Sequence, residues 1–228
     1  MGFANGNNIG FKYAKNELNS DFIILANNDT LLTDSSFCSD VIKEYNISNF
    51  AALGPKIKLK DNSINPINYP DIEIDTLEKQ LRRFKLSLIC DKIIILYFLK
   101  NMYQSMKKLF KKPIINKPVS EEKNVNLRHE NVMLHGCFLI FSRNYINLFE
   151  GLNDKTFLYR EEELLYKRLK DNNLKIVYNP NLLIIHNEDS ATNAMHKTNR
   201  KKSIFVNKNR INSTKILIDE IKGEMNGK

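Results

Sequence analysis

Five short apolar runs, each closed by polar or turn-forming residues, constrain this chain most. They are FIILA (22–26), AALGPKIKL (51–59), VMLHGCFLIFSR (132–143), LKIVYNP (174–180) and LLIIH (182–186). Runs of this length predict strands, the first of them short and buried and the second interrupted at Gly54-Pro55. Helical patterns alternate with them. NIGFKYAKNEL (8–18) places Ile9, Tyr13 or Ala14, and Leu18 on one side, and residues 36–46 also read as helix. EEELLYKRLKDNN starts acidic at Glu161 and stops at Asn172-Asn173, as helix ends do. Residues 1–10 read as a Gly- and Asn-rich loop. The tail is basic from about 200 and helical from about 208. Strands alternating with helices predict an α/β layer architecture, a sheet flanked by helices.

With 228 residues and 42% hydrophobic side chains, one domain is the default, with room for a second small lobe. Cys38, Cys90 and Cys137 are odd in number and irregularly spaced, which argues against a disulfide framework or a zinc ribbon and fits a reducing cytoplasm. The first ten residues lack a basic n-region and an apolar h-region, so no secretory signal is expected. The longest apolar run, IIILYFL at 93–99, falls short of the ~20 residues of a spanning helix.

The net charge of +9 is concentrated. Residues 79–112 carry ten Lys or Arg against Asp91 alone, and so account for all of it. Apolar residues recur there at Leu81, Phe84 and Leu88, then at Ile95, Leu99, Met102, Met106 and Leu109, which predicts one long helix or two broken near Asp91. A nonpolar stripe flanked by Lys and Arg describes either an interfacial helix on an anionic membrane or a solvated helix packed on its own domain. No nucleic-acid recognition motif accompanies the charge and there is no Trp, so no nucleic-acid partner is expected. KKPIINKPVSEEKN (111–124) reads as a linker.

Three polar groups stand at the ends of these elements. Asn27-Asn28-Asp29 follows FIILA. Asn and Asp form turns readily, yet a carboxylate with an amide two residues before it also suits a hard divalent cation. Glu161, Glu162 and Glu163 open a helix, where the dipole favours acids and where one carboxylate directed into a cleft can serve as a general base. His186 ends LLIIH and is either a metal ligand or a hydrogen-bonded structural histidine. In open α/β sheets, ligands bind beyond the carboxyl ends of strands, where Asn27 to Asp29 and His186 both fall.

GFANGNNIGFKYA, FIILANNDT, LHGCFLIFSR and FLYREEELLYKRLKDNNLKIVYNPNLLIIH, in that order, resemble consecutive blocks of a family 2 glycosyltransferase. The resemblance covers most of residues 2–190 and is most specific from Phe157 to His186. It implies a GT-A-like, Rossmann-like mixed sheet flanked by helices. It implies inverting transfer of a sugar from a nucleotide-diphosphate donor to a hydroxyl of a glycan or lipid-linked glycan, in surface polysaccharide biosynthesis. Asn27-Asn28-Asp29 stands where the family has a D-x-D-type motif, so Asp29, with His186, would hold Mg²⁺ or Mn²⁺ on the donor diphosphate. Asn7, Asn8, Asn27, Asn28 and Asp29 would line the donor. Glu162, or its neighbour Glu161, would be the catalytic base, and His135-Gly136 would face the acceptor. The implied organisation is the C-terminal part of a nucleotide-sugar-binding half at 1–75, a basic helical insertion and linker at 76–118, an acceptor-binding half at 119–200 and a helical tail at 201–228. The family has a strand-helix-strand portion before the GFAxGNN block, so upstream sequence or a separate chain is expected to supply it. The alternative is an incomplete, non-catalytic relative acting as a membrane- or partner-binding module. A cytoplasmic protein is expected, peripheral on the inner face of the membrane through residues 79–112.

Overall fold

A computed structural model describes residues 2–70, 72–110, 125–187 and 199–225. It divides into two compact units, one from Met1–Pro70 and Ser120–Asp189, the other from Asp71–Val119 and Ser190–Lys228.

The first unit is a mixed six-stranded sheet flanked by helices, an α/β fold. Its strands are β1 (Phe22–Ala26), β2 (Thr30–Leu32), β3 (Ala52–Leu59), β4 (His129–Glu130), β5 (Phe138–Ser142) and β6 (Ile176–His186). The order is β1-β5-β3-β6-β2, with β4 also pairing β6. β3 and β6 run parallel, and β5 is antiparallel to both β1 and β3. The carboxyl ends of β1, β3 and β6 therefore share one edge with the amino end of β5. Alternate residues of β5 enter different cores. Leu139 and Phe141 pack with Phe11 and Tyr145, whereas Phe138 and Ile140 pack with Phe37 and Phe50. This is the two-sided burial expected of a central strand.

Several elements differ from the sequence reading. The Gly- and Asn-rich start is helical: α1 spans Phe3–Asn16. Tertiary packing overrides the weak propensity of Gly and Asn here. The face turned inward is Ala4, Asn8 and Phe11, while Ile9, Tyr13 and Leu18 are about 60% exposed. Phe11 sets that phase by stacking edge-on against Phe141 and Tyr145. β1 is not fully buried, since Ile24 is exposed on an edge strand. β3 runs through Gly54-Pro55 unbroken, and the register shift falls between Pro55 and Lys56. Across from it, LKIVYNP and LLIIH form the single strand β6, which absorbs the shift at residues 180–182 as an irregularity. β5 is only the last part of VMLHGCFLIFSR. The helices α2 (Phe37–Ser48), α5 (Arg143–Ile146) and α6 (Glu161–Asp171) complete the unit.

The second unit contains α3 (Ile74–Lys92), α4 (Ile94–Phe110) and α7 (Asn199–Met225). The break near Asp91 falls at Ile93, whose backbone is extended. α7 begins earlier than about 208. Asp91 is fully buried and accepts hydrogen bonds from Lys100 (2.5 Å), Ser203 (2.6 Å) and Asn207 (2.7 Å), while Arg200 donates to its carbonyl. One carboxylate thus ties all three helices. The expected linker at 111–124 lies outside the described residues, as do Lys111 and Lys112. No described helix is long and apolar enough to cross a membrane.

Candidate functional site

The turn after β1 is tight. Asn27 O accepts from the Thr30 N–H (3.1 Å) and from its hydroxyl (2.6 Å), and the Asn27 N–H donates to Cys137 O. This backbone turn presents Asp29 to the last residue of β6, because β2 pairs Thr30 directly with His186. Asp29 Oδ1 then lies 3.2 Å from His186 Nε2. His186 is 4% exposed. Asp29 Oδ1 and His186 Nδ1 are nevertheless buried atoms with no hydrogen-bond partner among the described residues. Buried polar atoms are seldom left unpaired, so this pair is a place to look for a ligand.

Asp29 Oδ1 and His186 Nε2, the atoms 3.2 Å apart, are separated by close to the ~3 Å between adjacent ligands of an octahedral ion with bonds of ~2.1 Å; the unpartnered ring nitrogen is the other one, Nδ1. Among the described residues no group of three or more His, Cys, Asp or Glu is placed to hold a metal. Mg²⁺ is commonly held by one or two carboxylates with phosphate oxygens and water completing the shell; here one donor is the Asp29 carboxylate and the other an imidazole.

Glu162 joins this site from α6. Its Oε1 accepts the Gly136 N–H at 2.5 Å and lies 3.8 Å from His135 Nδ1. The Cys137 N–H points at the same Nδ1 (3.1 Å), so that nitrogen serves as an acceptor and the proton belongs on Nε2. The rings of His135 and His186 stand 6.0 Å apart. Asp29, His186, His135 and Glu162 therefore form one continuous series across the carboxyl edge of the sheet.

The three acids at the start of α6 separate clearly. Glu163 is paired with Arg160, and Glu161 accepts from Thr156 Oγ1 (3.4 Å). Only Glu162 faces the histidines. Burial raises its pKa from 4.5 to about 7, against the Gly136 hydrogen bond that lowers it and with Glu163 adding repulsion. Glu161 is raised too, first by burial. Gly136 is a close approach: a Cβ there would sit 3.3 Å from Glu162 Oε1.

Sequence reasoning missed how Glu162 is aimed. Tyr159 and Arg160, directly before α6, have φ of 72° and 71°. Neither residue type favours the left-handed region, and such strain costs about 1–3 kcal/mol per residue. No composition or spacing signals it. The GFANGNN block holds the loop that leads into this turn. Phe3 N–H donates to Phe157 O, and Asn5 Nδ2 donates to Asp154 O. Asn8 donates to Leu152 O (2.9 Å) and accepts from Leu152 N (2.7 Å), and Asn7 donates to Phe3 O. Asn7 and Asn8 thus spend hydrogen bonds on backbone, while Asn28 is exposed beside Asp29.

Comparison with family models, curated proteins and solved structures gives no match.

Proposed function

We propose that this sheet edge is the active site of an inverting glycosyltransferase of the family 2, GT-A type. It moves a sugar from a nucleotide-diphosphate donor to a hydroxyl of a glycan or lipid-linked glycan, in surface polysaccharide biosynthesis. The observation that carries the reading is the meeting of Glu162, His135, His186 and Asp29, supplied by four separate stretches of chain.

Glu162 is the base. It takes the proton of the acceptor hydroxyl as that oxygen bonds to the anomeric carbon, and the bond from that carbon to the diphosphate oxygen breaks with its electron pair. The nucleoside diphosphate leaves and the anomeric configuration inverts. A pKa near 7 matches a base working near neutral pH. The Gly136 N–H and the strained turn at Tyr159-Arg160 hold the carboxylate in place. Asp29 and His186 are the residues that would hold Mg²⁺ or Mn²⁺, and a cation bound there would neutralise charge on the departing diphosphate.

The test is release of nucleoside diphosphate from a panel of nucleotide sugars in the presence of Mn²⁺. Glu162→Gln and Asp29→Ala should each lower turnover by at least about a hundredfold. Unchanged transfer in both variants overturns the assignment.

One observation favours a second reading, a non-catalytic module of the same fold. Among the described strands β1 has a neighbour on one side only. Its free edge would accept a further strand from the same or a separate chain. Failure of the wild-type chain to bind any nucleotide sugar selects this reading.

A further inference from the structure

α4 presents a broad apolar face to solvent. Ile94 (57%), Ile95 (71%), Phe98 (65%), Leu99 (49%), Met102 (57%) and Met106 (48%) are all exposed. At 3.6 residues per turn they fall within roughly 140° of arc. Leu96, Tyr97, Lys100 and Asn101 occupy the other side and are less exposed, with Lys100 bonded to Ser87 and Asp91 of α3. In α3 the expected stripe turns inward instead, as Leu81, Phe84 and Leu88 are partly buried and Phe84 lies under the Arg210 guanidinium. The stripe read from the sequence is therefore two different surfaces, and only its second half is open.

The unit that carries the open half is cationic. α4 contains no acid, and exposed Lys107 lies about 80° beyond the apolar arc. On α3 the exposed side chains include Lys79, Arg82, Arg83, Lys85 and Lys92. The three helices together hold fifteen Lys or Arg and six Asp or Glu. Such a charge disfavours a second copy of the same unit as the occupant of the face, since like fields repel. It favours an anionic one. α4 has 17 residues and cannot span a bilayer, but a helix with this division lies in the interfacial plane.

We propose that α4 docks on an anionic phospholipid bilayer, with Ile95, Phe98 and Met102 inserted among the lipids and the α3 cations over the headgroups. This does not rest on the glycosyltransferase reading and needs no turnover to test. The full chain is sedimented with vesicles of phosphatidylcholine alone, or with about a third phosphatidylglycerol. Binding is expected only to the anionic vesicles, weakening as salt rises from about 0.1 M to about 0.5 M. The triple variant Ile95→Ser, Phe98→Ser, Met102→Ser, with unchanged circular dichroism, should bind about tenfold less. The chain has no Trp, so Met102→Trp reports insertion directly, by a blue shift of emission on anionic vesicles. Equal binding by the triple variant, an unshifted Trp, or no binding to anionic vesicles overturns the proposal. So does a wild-type dimer that the triple variant converts to monomer, which would make the occupant a second copy.

Discussion

Glu162→Gln should stabilise the protein while lowering the proposed transfer. The carboxyl of Glu162 has a folded pKa of about 7 against 4.5 when unperturbed, with burial as the main cause. A rise of that size disfavours the ionised form by ~3 kcal/mol, at about 1.4 kcal/mol per unit. The side chain keeps 31% of its exposure, so solvent screening reduces the effect to about 2 kcal/mol. The sign follows from linkage. The folded state binds the proton more tightly than the unfolded state, so stability is full below pH 4.5 and falls as pH rises through about 7. Gln is never charged, and its carbonyl can still accept the Gly136 N–H. In urea unfolding the variant should match the wild type at about pH 4 and exceed it by about 2 kcal/mol at about pH 8. Equal stability at both values refutes the claim that burial of a charge sets the Glu162 pKa. A gain of the same size at both values also refutes it, since packing would then explain the difference.

Turnover by the wild type should rise with pH through about 7, because only the ionised Glu162 accepts the hydroxyl proton; a flat profile from pH 6 to about 8 removes Glu162 as the base. Gly151→Ala should cost about 2–4 kcal/mol in thermal or urea unfolding. Its φ is +131° and a Cβ would lie 2.2 Å from Asn8 Oδ1, so the Asn8–Leu152 bonds must open. Asp91→Ala should lower stability by about 3 kcal/mol, since Lys100, Ser203 and Asn207 lose a shared buried acceptor. The circular dichroism change should be confined to loss of helix. In Mn²⁺ titrations with a nucleoside diphosphate, Asp29→Ala should weaken binding at least about tenfold, and His186→Ala similarly. Unaltered affinity in both would place the cation elsewhere.

The candidate site was legible in pieces. Asp29, Glu162 and His186 each stand where a polar residue ends or begins an apolar element, and that signal is local. The choice among Glu161, Glu162 and Glu163 was not, because adjacent positions on a helix point about 100° apart. Their fates were set by their partners: Gly136, distant in sequence, for Glu162, and for Glu161 and Glu163 the nearby Thr156 and Arg160, the latter within a left-handed turn at Tyr159-Arg160. Asparagine is similar. Its abundance reads as a bias of composition, yet Asn19, Asn49, Asn62, Asn131 and Asn173 all adopt positive φ. Asn tolerates that region better than other residues bearing a side chain, and here it turns the backbone where glycine often would.

By itself, the sequence determined the kind of elements and most of their order. Hydrophobic period, acidic helix starts and apolar runs are properties of neighbouring residues, and they led to an α/β sheet and a basic segment forming one long helix or two broken near Asp91. Only the tertiary structure decided which face each element buries. α1 turns Phe11 inward rather than Ile9 because Phe141 and Tyr145 wait there. α3 hides its stripe while α4 displays one, although both have the same period. A helical pattern specifies that a face exists. What covers it depends on residues more than a hundred positions away, such as Arg210 over Phe84. The same holds for the meeting of Asp29 and His186, which exists only because β2 pairs with the end of β6.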